Sequence, residues 1–279
     1  MVNTIKMDLY RMFKSKFVYV LLIVAAVSLL ISAKSQQYTL ELIKSNSESY
    51  QQLLEEDSEL DYDNIEYALG IKEFSFPDFL NMTFSNDMLV FISIFAAIFV
   101  NAQQKNGYIK SISQLSPKRG RFAISNGVSV AVFTLVFYIE VFLVSMLGFA
   151  WFFKDISFSG FSDFIGIFLI KLLLFIAFGI LVLMFAMVMR STGLSMTLGI
   201  LCSAGLISSI FSLIDLLLYR FLDISRSFSV SNYTITQNIY KLSIESSDSE
   251  LLRAGIVGVL FIAVSMIISV LVMNKRDVK

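Results

Sequence analysis

Six stretches of the chain are almost continuously apolar, and polar residues gather between them. They cover residues 17–33, 88–102, 122–152, 164–189, 194–218 and 254–273. A helix needs about 20 predominantly apolar residues to cross hydrocarbon, so the pattern predicts six transmembrane helices. The first two runs are short, and the second gains a turn if it begins near Phe84; the third exceeds one straight crossing. Such unbroken runs do not suit a β-barrel, whose strands alternate over about ten residues. The expected fold is an all-α membrane protein with one transmembrane domain over residues 1–279.

A different period precedes the first run. Val2, Ile5, Leu9, Met12 and Phe13 recur at helical spacing, while Lys6, Asp8, Arg11 and Lys14 take the other faces. This predicts an amphipathic helix over 1–16, lying in the headgroup layer with its cations near anionic lipid. It serves either to anchor the first span or as a lever toward a soluble partner. The polar segment 34–87 carries apolar positions such as Leu53, Leu60, Ile65 and Leu69, which suit short helices on the outer surface.

Composition agrees with a bilayer. Of 279 residues, 56% are hydrophobic and 16% charged, against about 45–50% and 25% in soluble domains, and the mean hydropathy is +0.75. Pro77 and Pro117, the only prolines, fall outside the apolar runs, which suits a bundle of mostly uninterrupted helices. Ser32-Ala33-Lys34 is a poor cleavage site, so the first run is expected to stay as a helix.

The absences narrow the chemistry. The chain has no His, which excludes His general bases, Ser-His or Cys-His nucleophiles and HExxH zinc sites. The single Cys, Cys202, has no intrachain disulfide partner. No GxxxxGK[ST] phosphate loop is present. No catalytic, metal or cofactor-binding residue is therefore assigned, and a self-contained enzyme is not expected.

Orientation follows from the loops. Lys6, Arg11, Lys14 and Lys16 precede the first run, and Lys105, Lys110, Lys118, Arg119 and Arg121 occupy 103–121 without an acidic residue. Arg190 separates runs four and five, and Lys275, Arg276 and Lys279 end the chain. The alternate segments differ: 34–87 holds three basic and twelve acidic residues, and 219–253 holds four of each. By the positive-inside rule both termini are cytoplasmic, and 34–87 and 219–253 are extracellular.

Three ionisable residues interrupt apolar runs: Glu140, Lys171 and Asp215. Glu140 lies about three turns before the end of span three and Lys171 about two turns after the start of span four. Both fall in the outer half of the bilayer, so an intramembrane ion pair is expected; Asp215, near the membrane face, is read as solvated. In span five Ser195, Gly199 and Ser203 recur every four residues, a spacing that lets helices approach closely, either within one subunit or at a subunit seam. The loop 103–121 carries a short apolar stripe of Tyr108, Ile109, Ile112 and Leu115, ended by Pro117 and Gly120; it is either a basic loop set by the positive-inside rule alone or a docking element for a soluble partner.

The layout resembles the permease subunit of an ABC-2-type exporter. The resemblance rests on the start Lys6-Met7-Asp8-Leu9-Tyr10-Arg11-Met12-Phe13-Lys14-Ser15-Lys16, then a span, a large outer loop and a second span. It rests further on Asn106-Gly107-Tyr108-Ile109-Lys110, similar to that family's "NGTIK" segment, and on the Ser116-Pro117-Lys118-Arg119 turn. The chain departs from it at Gln103 and Gln104, where related permeases often carry an acidic residue. The Glu-Ala-Ala loop of many ABC importers is not recognisable.

The resemblance implies that Gly107, Tyr108, Ile109, Lys110, Ile112 and Leu115 form a coupling helix on a separate ABC ATPase subunit, which carries the ATP and Mg. It implies a second permease chain, identical or related, and short re-entrant helices at the outer gate, to which residues 215–228 correspond. Similar small permeases protect Gram-positive cells from antimicrobial peptides, so the cargo implied is a peptide or amphipathic molecule exported through the cell membrane. The twelve carboxylates of 34–87, with the run from Glu55 to Asp63, are either a solvated face or a field that concentrates cationic peptides at the outer surface. Nucleic acid is not an expected partner. The rival readings are a membrane scaffold or immunity protein without an ATPase, and a proton-driven secondary transporter, which would show inverted repeats and broken helices.

Overall fold

The computed structural model describes residues 2–46, 74–105, 120–153, 161–222, 229–244 and 246–275. All regular elements among them are helical. Helix α1 spans Val2–Lys14, and Ser15, in extended backbone, separates it from α2, Lys16–Ser45. After α3 (Phe76–Thr83) and a 3-10 turn at Asn86–Met88 come α4 (Leu89–Lys105), α5 (Gly120–Phe152) and α6 (Phe161–Met189). Helices α7 (Thr192–Ser203) and α8 (Leu206–Leu222) follow, then a 3-10 turn at Ser231–Tyr233, α9 (Ile235–Lys241) and α10 (Asp248–Asn274).

Five helices are long and apolar enough to cross a membrane, and the α7–α8 pair gives a sixth crossing if its two halves count as one span. The chain is a multi-pass helical membrane protein. Helix α6 is the hub, packed on α4, α5, α7 and α10, while α2 and α1 lie along α5. Lipid tails are as apolar as Leu, so close packing rather than hydrophobicity joins such helices. Aromatic stacks supply much of it: Phe95 and Phe133 have ring centroids 3.6 Å apart, and Phe84 lies 4.2 Å from Tyr138.

Three boundaries differ from expectation. Helix α2 runs past residue 33 to Ser45, 30 residues in all, about 45 Å at 1.5 Å per residue and longer than the ~30 Å hydrocarbon core. Its polar end is held by local bonds: Lys34 Nζ donates to Gln37 Oε1, and Gln37 Nε2 donates to Glu41 Oε1, both at 2.8 Å. The part of 34–87 that forms α3 is not on the surface. A Ser75–Asp78 capping box and Pro77 start it, and Phe76, Phe79 and Leu80 are buried, with Phe79 5.3 Å from Phe149. The acidic run from Glu55 to Asp63 lies outside the described residues.

The third difference is a break in span five. The run 194–218 is expected as one helix, but α7 and α8 meet at a 55° bend at Ala204–Gly205. Gly205 has φ +81° and its amide bonds to the Cys202 carbonyl, a left-handed helix stop that glycine adopts without a Cβ clash. The carbonyls at the end of α7 are met locally: Ile200 O accepts from Ala204 N at 2.9 Å and from Ser203 Oγ at 2.8 Å, while Gly205 O begins the α8 ladder by accepting from Ser209 N. This span is the exception among mostly uninterrupted helices, because a helix stop at glycine needs no proline.

Candidate functional site

The sequence places the most chemistry around the loop between spans two and three. The predicted coupling residues Gly107, Tyr108, Ile109, Lys110, Ile112 and Leu115 lie outside the described residues. The two ends of that loop are described, and both are tied to other elements.

At the first end, α1 turns Asp8 into the bundle. Its carboxylate is fully buried and accepts from Gln103 Nε2 of α4, at 3.1 Å, and from Ser125 Oγ of α5. Gln103 and Ser125 are themselves buried. Arg11, one turn along, places its guanidinium 4.5 Å from the Phe99 ring centroid, and Met12 is buried beside them. The inward face of α1 is thus Ile5, Asp8, Leu9 and Met12, whereas Val2 and Phe13 are exposed. This corrects the expected face: Asp8 belongs with the packed residues because α4 and α5 supply donors to it.

At the second end, Gly120 starts α5 against the end of α10. Its amide donates to Asn274 Oδ1 at 2.8 Å. A Cβ on Gly120 would stand 2.9 Å from that oxygen and from Val270 Cγ1, so a side chain here would have to push Asn274 and Val270 aside. The segment 106–119 therefore leaves from a helix clamped by α1 and returns to one clamped by α10. Above the clamp, Asn101 Nδ2 donates to Ser195 Oγ at 3.1 Å, joining α4 to α7. The side-chain carbonyls of Asn101, Gln103 and Asn126 are buried and accept no hydrogen bond from the described residues.

The stripe Ser195, Gly199 and Ser203 is buried. Gly199 lies against α4 of the same chain, where an added Cβ would come within 2.9 Å of Ser93 Cβ. Together with the Ser195–Asn101 bond, this places the stripe's contacts inside one subunit.

The expected Glu140–Lys171 ion pair does not form. Lys171, 1% exposed, donates to Asn81 Oδ1 at 2.6 Å, to the Asn81 carbonyl at 3.2 Å and to the Phe84 carbonyl at 3.4 Å. The ammonium thus closes the C-terminal end of α3, where carbonyls lack intrahelical donors. Glu140 is half-buried and its Oε2 has no hydrogen-bond partner among the described residues. Equal depth does not make two side chains face each other, and the α3–α4 connection reaches Lys171 first.

Asp215 is buried, 4% exposed, rather than solvated. Its Oδ1 accepts from Val230 N at 2.6 Å, and its Oδ2 from Ser231 N at 3.0 Å and Ser229 Oγ at 2.7 Å. It fastens α8 to the 3-10 turn before α9. Residues 215–222, of the segment matched to the re-entrant helices, form the last turns of α8; residues 223–228 lie outside the described residues.

Sequence reasoning missed Asp8, Ser125, Asn81 and Asn274 as site residues. Only Asp8 carried a signal, since it stands three residues after Ile5 and four before Met12, on the side of α1 that packs. The chain matches no protein-family model and none of the curated proteins at a significant level.

Proposed function

We propose that this protein is the permease subunit of an ABC-2-type exporter in the cell membrane, working with a separate ATPase. The observation that carries the reading is the clamp at both ends of residues 106–119: Gln103 to Asp8, and Gly120 to Asn274. A loop that transmits force needs stiff attachments, and here a push on it reaches α1, α4, α5 and α10 together. The partner would bind ATP and Mg and do the hydrolysis; this chain would supply the path. Two permease chains would enclose that path for a peptide or amphipathic cargo, with both termini on the side of the ATPase. Immunity to antimicrobial peptides in a Gram-positive cell is the role this reading favours.

One pair of observations favours a second reading. The break at Gly205 and the Glu140 Oε2, which has no partner among the described residues, are features a proton-driven transporter would use. The break itself carries no charged group among the described residues, and its backbone groups are bonded within the chain, Ala204 N to Ile200 O and Gly205 N to Cys202 O, which supports a structural bend over an ion site.

Affinity purification in mild detergent, with co-purifying proteins identified and ATPase activity measured, separates the readings. Recovery of a P-loop ATPase with the native chain, and its loss when Tyr108, Ile109 and Ile112 are changed to Asp, supports the permease. A chain that purifies alone, indifferent to those changes, counts against it. In that case transport abolished by collapsing the proton gradient would identify the secondary transporter, and no transport would leave the scaffold or immunity protein.

A further inference from the structure

The bend at Gly205 makes room. Where α8 swings away from the line of α7, a partly enclosed cavity of about 320 Å³ lies between α6, the α7–α8 corner, the 230–236 segment and α10. Ligand sites in proteins run from about 300 Å³ upward. The walls include Phe178 and Phe185 of α6, Phe211 of α8, Phe261 of α10 and Ile235 of α9.

The lining decides what fits. None of the described side chains around the cavity is charged. Three residues on its wall carry hydroxyls: Tyr233 is half exposed, and the two threonines are already engaged, with Thr234 Oγ1 donating to Ser231 O at 2.8 Å and accepting from Gln237 N, and Thr236 Oγ1 donating to Ser208 Oγ at 3.4 Å. A peptide brought here would bury backbone amides with few donors or acceptors to meet them, at a cost. A hydrocarbon chain brings no such groups and recovers the dispersion contacts that aromatic walls offer only to matter in touch with them. Phe185, Phe211 and Phe261 are half-buried, so the cavity is reached from between the helices, where the surrounding solvent is itself acyl chain.

We infer that this cavity is a binding site for a single hydrocarbon chain, the tail of a membrane lipid or of a free fatty acid, seated under the broken fifth span. The chain would fill the corner between α7 and α8 and hold the bend open against α6. The inference does not rest on the permease reading.

The test is a palmitate titration of the full-length protein, followed by native mass spectrometry. The native chain is expected to take up one palmitate, and Ile207→Trp, which fills the cavity from the α8 wall, to bind at least tenfold more weakly. Leu252→Trp, on the exposed face of α10, is expected to bind as the native chain does. The mass carried through purification before any addition tells a phospholipid from a free fatty acid. No uptake by the native chain, or equal uptake by Ile207→Trp, would overturn the assignment. Should Ile207→Trp fail to fold, Cys202 decides, because the only cysteine in the chain lines the cavity. Palmitate should then slow its alkylation by N-ethylmaleimide at least fivefold, and an unchanged rate, or equal protection by a tripeptide, would sink the proposal.

Discussion

Gly120 and Asn274 are 154 positions apart, yet the amide of the first donates to the side-chain oxygen of the second at 2.8 Å. The contact fastens the start of α5 to the last turn of α10, and glycine leaves room for it, since a Cβ would stand 2.9 Å from both Asn274 Oδ1 and Val270 Cγ1. Gly120→Ala should therefore force the two helices apart and destabilise the protein by about 1–3 kcal/mol, the range for overpacking. Asn274→Ala should cost about 0.5–1.5 kcal/mol for its hydrogen bond. Thermal unfolding in detergent checks both. If the contact is real, the double variant loses less than the sum of the single losses.

The carboxylate of Asp8 holds α4 and α5 together from outside both. Asp8→Ala leaves Gln103 Nε2 and the Ser125 hydroxyl buried without this acceptor, and each such orphan costs about 1–3 kcal/mol. Asp8→Asn should cost nearly as much, because its amide places a donor among donors. The Tm of each variant, and faster proteolysis at the 106–119 loop, are the readouts. A Tm within error of the native value for Asp8→Ala would show that the clamp contributes nothing.

Lys171 and Glu140 give opposed expectations. Lys171→Met removes the donor from Asn81 and from the Phe84 carbonyl, so a marked loss of stability is expected at about 1–3 kcal/mol per orphaned acceptor. Glu140→Gln touches no bond of Lys171 and should shift Tm little. Reversing both charges should not rescue the Lys171→Glu defect. Rescue would instead restore the ion pair that the depth argument predicts.

That contrast shows what the sequence could and could not convey. Long apolar runs revealed the spans because the bilayer demands them, and five of the expected runs correspond to single helices within a few residues, save for the end of α2. Residues 34–45 stayed helical past the apolar boundary through side-chain bonds that hydropathy does not register. Depth along a helix was legible for Glu140 and Lys171, but direction around it was not, and direction chooses the partner. Asp8 looked like a solvent-facing charge because its donors, Gln103 and Ser125, are 95 and 117 positions away.

Asp215 should show how much the α8 connection matters. Its carboxylate accepts two backbone amides and one hydroxyl from residues 229–231, and bonds to a charged group are worth about 1.5–3 kcal/mol each. Asp215→Asn retains an acceptor oxygen but sets an NH2 group against N–H donors. A clear fall in Tm is expected, together with faster hydrogen exchange at the Val230 and Ser231 amides and little change in α2 or α5. Exchange that rises evenly across the protein would mean that Asp215 supports the whole bundle rather than this corner.

Gly205 tests whether the bend is built into the chain or imposed by its surroundings. At φ +81° the residue sits where a side chain costs roughly 1–2 kcal/mol, so Gly205→Ala should lower stability by that amount if the corner holds. If the corner instead straightens, α7 and α8 become one helix, and the Gly205 amide exchanges its bond to Cys202 O for one to Leu201 O. The cavity beside Cys202 then changes shape. Cysteine alkylation separates these cases: an unchanged rate with reduced Tm means a strained but intact bend, and an altered rate means a straightened span. Gly205→Asn is the companion variant, since asparagine tolerates the left-handed region better than other side chains. It should recover part of the stability lost by Gly205→Ala when the bend persists, and none when the helix has straightened.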